Sequence, residues 1–346
     1  MSLQIFTISL GGIMKFRERY LTGKADFEEI FDLTDQWNFS DEACTLREFL
    51  GLTAEEEDVW ISESDEALQE LMEKEKNRKI FFTDLDGTLL NDAKELSDGN
   101  RAALQELLEK GHVISISTGR ALPSAIKQAK RLGLMKKNCY IICFNGGQIY
   151  DVSRKELIYQ QSLSRELVRG LFDEASSFGI DVQTYTDTHV ITEKDNESLH
   201  KYVEIQGLPY KITDDVIAEL DHEPAKVLAL DYASPEHVTA FREYITQRYG
   251  DKVDIYLSHP CLLELVPPGV NKGNAVHFLC SYLGIPLENS VSAGDAENDL
   301  TMLEASHVGA AMCNGEPLLK EKADYITQKD NNHDGVAEIL RKFILN

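Results

Sequence analysis

The chain has 346 residues, 42% hydrophobic and 27% charged, an ordinary soluble composition at a length that predicts two or three compact units rather than one core. Its formal net charge of −24 repels phosphate backbones and anionic headgroups, which argues against nucleic acid and membrane surfaces as partners. An anionic small substrate is compatible with that field only where a local cation, such as a bound divalent metal, offsets it.

Taken in chain order, Met1-Ser2-Leu3 reads as an expression scar. Gly11-Gly12-Ile13-Met14 reads as a translated ribosome-binding site ahead of a start at Met14. Residues 1–78 predict a small acidic helical appendage. Between Phe31 and Glu70 stand thirteen acidic residues and one basic residue, Arg47, a density that favours solvated helices or disorder. Phe31, Trp37, Phe39, Leu46, Phe49, Leu50 and Trp60 are the candidates for a small apolar cluster there.

From Lys79 onward, short apolar runs rich in β-branched and aromatic residues alternate with amphipathic stretches, the pattern of a parallel sheet with crossover helices. Ile80–Thr83 predicts a buried strand. Ser97 predicts the N-cap of a helix whose apolar face carries Leu104, Leu107 and Leu108 and which ends at Gly111. Val113–Ser117 predicts a strand, 122–133 a helix and Tyr140–Phe144 a third strand. Between about 160 and 261 the spacing changes to helices near 164–178 and 235–249 mixed with strand-like runs, an α+β insert. The alternation resumes with a helix near 272–283, a strand at Val291–Ala293, a helix near 298–305 and a strand at Val308–Met312. The expected architecture is therefore a doubly wound core, 79–159 with 262–346, split by an insert at 160–261.

The chemistry concentrates where strands end. Asp84-Leu85-Asp86-Gly87-Thr88 follows the first strand, and in open α/β sheets ligands sit beyond the carboxyl ends of the strands. Two aspartates two apart face the same way if the extended geometry continues, and Gly87 then lets the chain turn. Alone, this segment is also compatible with a calcium loop or a plain turn, although Leu89 and Leu90 stand where a calcium loop needs oxygen ligands. Three further strand ends carry Ser117-Thr118-Gly119-Arg120, Asn145-Gly146-Gly147 and Gly294-Asp295-Ala296-Glu297-Asn298-Asp299. Lys272 opens a helix after the rigid Pro267-Pro268-Gly269 turn, which fixes where its ammonium points. Coincidence across so many termini is a poor explanation.

These motifs, in this order, resemble the haloacid dehalogenase (HAD) superfamily, and within it the Cof-type phosphatases with a C2 cap inserted between the second and third motifs. The resemblance runs from Lys79 to the C-terminus, where Asp334-Gly335-Val336-Ala337 is similar to the family's tail. It implies that Asp84 attacks phosphorus, that Asp86 acts as acid and then base, and that Thr118 and Lys272 hold the phosphoryl oxygens. It further implies a Mg²⁺ site from Asp84, the Asp86 carbonyl and Asp295, with Asn298 and Asp299 orienting those ligands. Gly119, Arg120, Asn145 and Gly146 are the expected substrate contacts.

Each role has a physical basis. A carboxylate attacks phosphate only where their repulsion is screened, which a dication does while aligning the oxygens. Asp86 needs a pKa raised toward neutrality, and neighbouring carboxylates push it that way. Lys272 and Thr118 stabilise charge spread over the equatorial oxygens. The insert is expected to act as a lid that excludes water.

The expected activity is a cytoplasmic, Mg²⁺-dependent phosphatase acting on a small phosphorylated metabolite, a sugar phosphate or a phosphorylated cofactor. Cytoplasm follows from six scattered cysteines that read as reduced thiols, the lack of a membrane-length apolar run and an N-terminus without a secretory pattern. A phosphosugar mutase on the same core, a non-catalytic phospho-ligand-binding module and an interaction role for the appendage stay open at this stage.

Overall fold

The computed structural model describes residues 14–186 and 188–346, so the expected leader at 1–13 lies outside the described residues. The chain divides into two compact units between Arg78 and Lys79.

The first unit is helical: α1 (Phe16–Leu21), α2 (Glu29–Asn38), α3 (Leu46–Leu50), α4 (Ala54–Ser62) and α5 (Asp65–Lys76). Its acidic residues do more than solvate. Thr45 with Glu48 and Thr53 with Glu56 form reciprocal capping boxes at the starts of α3 and α4, each satisfying backbone N–H groups that the helix leaves free. Glu56 is buried and also receives the Arg17 guanidinium at 2.8 Å. The apolar centre is Phe16, Tyr20, Phe27, Ile30, Leu50, Leu68 and Met72, with Leu46, Phe49 and Trp60 packed at its margin. The expected cluster is corrected on three members: Phe39 is 90% exposed, Phe31 43%, and Trp37 does not join it. Most of the residues that complete it, Phe16, Tyr20, Phe27 and Ile30, precede the acidic run, and Leu68 and Met72 come from α5.

The second unit begins with β1 (Ile80–Thr83), α6 (Asp98–Glu109), β2 (Val113–Ser117), α7 (Leu122–Leu132), β3 (Cys139–Cys143), β4 (Gln148–Asp151) and β5 (Glu156–Gln160). The insert follows as α8 (Arg165–Phe178), β6 (Asp181–Tyr185), β7 (Val190–Thr192), α9 (Glu197–Gln206), β8 (Tyr210–Ile212) and α10 (Val216–Glu219). It closes with β9 (Val227–Leu230), α11 (Pro235–Tyr249), β10 (Asp254–His259) and β11 (Leu262–Val266). The chain then returns through α12 (Lys272–Leu283), β12 (Ser290–Gly294), α13 (Leu300–Ala305), β13 (Val308–Ala311), α14 (Pro317–Lys322), β14 (Tyr325–Ile326) and α15 (Gly335–Phe343).

The first sheet has eight strands in the order β14-β13-β12-β1-β2-β3-β4-β5. All its pairs are parallel except β3 with β4 and β4 with β5, an antiparallel edge absent from the sequence expectation. β1 is buried along its whole length because it sits inside the sheet with both faces covered, which is why it reads as an unbroken apolar run. Thr83 lies opposite Ile116 on one side and Ala293 on the other, so β1, β2 and β12 run out together. That register places Asp84, Thr118 and Asp295 at one edge. The third strand stops at Cys143, short of the expected Phe144, because Phe144 and Asn145 turn into the left-handed region at φ 50° and 54°.

The second sheet has six strands in the order β10-β11-β9-β6-β7-β8. It includes Leu262–Val266, so the insert ends at Val266 and not at the expected 261. The expected boundary falls inside the antiparallel hairpin of β10 and β11, whose two strands cannot belong to different sheets. Alternation along β9 assigns the two faces of this sheet. Val227 and Ala229 pack with Val168, Phe172 and Phe241 of the insert's helices, whereas Leu228 and Leu230 join the cluster that contains Phe81, Ile116 and Phe144. One face of the insert's sheet thus carries its own core, and the other is continuous with the main one.

Candidate active site

The loop after β1 is held by Asp84 N–H donating to Ala293 O and by Leu89 and Leu90 N–H donating back to Asp84 O and Leu85 O. Gly87 turns at φ 85°, and a Cβ there would lie 2.3 Å from Asp295 Oδ2, so only glycine allows the loop to approach that carboxylate. Thr88 Oγ1 donates to Asp295 Oδ1 at 2.6 Å.

Lys272, the first residue of α12 and 0% exposed, donates to Asp84 Oδ1 at 2.7 Å and to Asp299 Oδ1 at 2.5 Å. Asp299 also accepts from the Asp295 and Ala296 N–H groups, which orients it fully. Asp84, Asp295 and Asp299 each offer an oxygen within 4.8 Å of the others. Three carboxylates around one ammonium leave a formal excess of two negative charges in a nearly closed space. Burial pushes the Asp84 carboxyl well above its ordinary value; Lys272 opposes this, and Asp299 and Asp295 add to it. Burial, then the charge of Asp299, pushes Asp295 up to about 6. A dication coordinated by oxygen relieves that excess, so the residues present fit a magnesium ion. Asp84 and Asp295, two of the expected ligands, are brought together, and Asp299 stands beside them, bonded to both Lys272 and the Asp295 N–H.

Asp86 departs from expectation. Its carboxylate accepts from Arg120 Nε at 3.0 Å and Nη2 at 2.7 Å and pairs with Lys94 Nζ at 2.9 Å. Burial pushes Asp86 up, but the two cations outweigh it and hold the carboxyl below its usual range. The raised pKa expected from neighbouring carboxylates is therefore corrected: the side chain is engaged by cations.

A cleft of about 210 Å³ opens over these groups, with Asp84, Asp86, Thr118, Gly119 and Arg120 on one wall and Tyr202, Gln206, Lys226 and Glu264 of the insert on another. Asn298 borders it, and its amide donates to Asn145 Oδ1 at 3.2 Å. Asn145 in turn donates to Glu264 Oε2 at 2.9 Å. Gly146, expected among the substrate contacts, does not line this cleft. A Cβ there would meet the Asn271 carbonyl at 2.3 Å, so its glycine serves the close packing of the β3 turn on the start of α12.

Five contributors escaped the sequence reading. Lys94, Tyr202, Gln206 and Lys226 carried no local signal. Glu264 did: it is a lone charge at an inward position of the apolar strand Leu262-Leu263-Glu264-Leu265-Val266, where period-two alternation demands an apolar residue or a buried partner.

The description "haloacid dehalogenase-like hydrolase" matches residues 81–340. A Streptococcus pyogenes protein is 32% identical over 274 residues, covering 78% of this chain and 99% of its own. A Bacillus subtilis protein named 5-amino-6-(5-phospho-D-ribitylamino)uracil phosphatase YcsE is 31% identical over 267 residues, covering 77% of this chain and 96% of that one. The crystal structure of a haloacid dehalogenase-like hydrolase from Bacteroides thetaiotaomicron superposes with a TM-score of 0.71 at 30% identity, over 77% of this chain and 99% of that one. The chain belongs to the haloacid dehalogenase-like hydrolases, in their Cof-type branch. Within that family it is a phosphoric monoester hydrolase.

Proposed function

We propose that this protein is a Mg²⁺-dependent phosphatase that hydrolyses a small phosphorylated metabolite through a phosphoryl-aspartate on Asp84. The observation that carries the reading is the buried excess of negative charge formed by Asp84, Asp295 and Asp299 around the single ammonium of Lys272, at the carboxyl edge of a parallel sheet. Asp84, Asp295 and the Asp86 carbonyl would hold the ion, which when bound screens the meeting of two anions.

In the first step Asp84 attacks phosphorus, forming the Asp84–phosphorus bond as the bond to the ester oxygen breaks. Lys272 holds Asp84 Oδ1 in place, and the Thr118 hydroxyl offers a donor to an equatorial oxygen. Asp86 gives a proton to the leaving oxygen and takes one from the water that then attacks the phosphoryl-aspartate. Arg120 and Lys94 keep Asp86 ionised, the form that accepts a proton. To serve as acid in the first step Asp86 must first take up a proton, from solvent or from a monoanionic phosphate ester, which requires Arg120 and Lys94 to turn from Asp86 to the bound substrate.

We read residues 79–159 with 267–346 as the catalytic core and the intervening insert as a lid. A net charge of −24 disfavours nucleic acid and membrane partners. Unpaired cysteines support a reducing, cytoplasmic setting, and among the described residues no helix is long and apolar enough to cross a membrane. Tyr202 and Gln206, which line the cleft, suit a hydroxyl-bearing leaving group, in keeping with a sugar or polyol phosphate. The relative named for a phosphoribitylamino-uracil substrate supports the same range.

The test is release of inorganic phosphate from sugar phosphates, polyol phosphates and phosphorylated cofactors, ranked by kcat/KM with and without Mg²⁺. Metal-dependent release with a clear preference is expected. Binding of phosphorylated compounds without release would overturn the reading.

A further inference from the structure

Lys226 and Glu264 are 1% and 4% exposed, and both come from the lid. Lys226 Nζ pairs with Glu264 Oε1 at 3.0 Å and donates to the Gly119 carbonyl at 3.0 Å. Glu264 Oε2 accepts from Asn145. Glu264 lies opposite Leu228 across the β11–β9 pair, and Leu228 belongs to the cluster shared with the main core, so this carboxylate points from the lid toward the core by strand alternation. A buried ion pair adds little stability over an apolar pair of similar volume, so stability alone does not account for it.

Its geometry does. The two charges neutralise each other within the lid and would move with it as a neutral unit. What the pair presents outward is one donor and one acceptor, and the core meets them with one acceptor, Gly119 O, and one donor, the Asn145 amide. Gly119 follows Thr118 and precedes Arg120. Asn145 sits with Phe144 in a left-handed bend that side chains rarely adopt, which persists only when its surroundings hold it. Through Asn145 the contact reaches Asn298, the neighbour of Asp299.

From this arrangement, and resting on the phosphatase reading above, we infer that Lys226 and Glu264 are positioning residues. When the lid is seated, their outward donor and acceptor fix the Thr118–Arg120 loop and the Asn145–Asn298 amides in the geometry that turnover requires. The pair acts through those groups and touches no reacting atom.

The experiment uses the full-length protein with Mg²⁺ and p-nitrophenyl phosphate, comparing wild type, the double variant Lys226→Met/Glu264→Leu and its companion Lys226→Met/Glu264→Gln. The double variant removes both charges and keeps the volume apolar. Its melting temperature and calorimetric Mg²⁺ affinity are expected to match wild type, while kcat falls about tenfold to hundredfold, the worth of a charge-assisted hydrogen bond, and KM moves far less. Lys226→Met/Glu264→Gln, which also removes both charges but keeps an oxygen for Asn145, is expected to recover part of kcat. A double variant with wild-type kcat, or a loss that only tracks the folded fraction, overturns the inference. If wild type itself fails to turn over the aryl phosphate, the phosphatase reading is what fails. The pair is then judged by affinity for inorganic phosphate in the presence of Mg²⁺, which the double variant loses if the pair positions the site and keeps if it does not.

Discussion

Two buried carboxylate environments in this chain differ in one respect that separates structure from chemistry. In the N-terminal unit, Glu56 is enclosed but complete: Arg17 supplies its countercharge and the Thr53 N–H closes a capping box. At the sheet edge, Asp84, Asp295 and Asp299 share one ammonium, and burial with mutual repulsion drives Asp84 and Asp295 toward protonation. A buried acid with its charge balanced is part of the fold. Buried acids left in excess favour a cation beside them, and that difference, rather than burial, marks the candidate site.

Substitutions should separate the two environments cleanly. Asp84→Asn removes the proposed nucleophile, because an amide does not attack phosphorus, and turnover should fall on the order of 10⁴-fold or more with the fold intact by circular dichroism. Chelation of divalent metal should abolish activity reversibly. Mg²⁺ at about a hundredfold over its Kd should then stabilise the wild type by about 2.7 kcal/mol, seen as a raised melting temperature that Asp295→Asn diminishes. Gly87→Ala forces a Cβ against Asp295 Oδ2 at a positive φ, and should lower kcat by about a hundredfold and weaken the Mg²⁺-induced stabilisation together. Arg120→Ala frees Asp86 and widens the cleft, so KM should rise about tenfold with a smaller change in kcat, measured by steady-state kinetics. Glu56→Ala strips a cap and an ion pair from the helical unit and should cost about 1–3 kcal/mol there by denaturant titration, while kcat/KM of the catalytic unit stays at wild type.

The same contrast explains what the sequence made visible. Strands β1, β2 and β12 were legible because strands covered on both faces take apolar and small residues, Ile-Phe-Phe in β1 and valine, isoleucine or alanine among buried serines in β2 and β12, and the polar residues of the site follow them directly in the chain. The antiparallel edge of β4 and β5 was not, since β4 buries the polar Gln148 and Asp151 and β5 is half-exposed, so neither gives an apolar run. The environment of Asp86 was misjudged for a related reason: its partners Arg120 and Lys94 are set by the fold of two loops, and their directions do not follow from spacing. In the helical unit, the acidic run concealed two Thr-x-x-Glu capping boxes whose pattern was readable locally, at Thr45 with Glu48 and Thr53 with Glu56. The Lys226–Glu264 pair spans contacts between residues more than a hundred positions apart and is a product of tertiary structure.

The most direct measurement is an acid quench of the enzyme during turnover of a substrate labelled in its phosphoryl group, followed by peptide mapping. Label bound covalently to the peptide that contains Asp84, and missing from the Asp84→Asn variant, is the predicted result. Turnover without protein-bound label, or label on another side chain, would contradict the assignment of Asp84 as the attacking group.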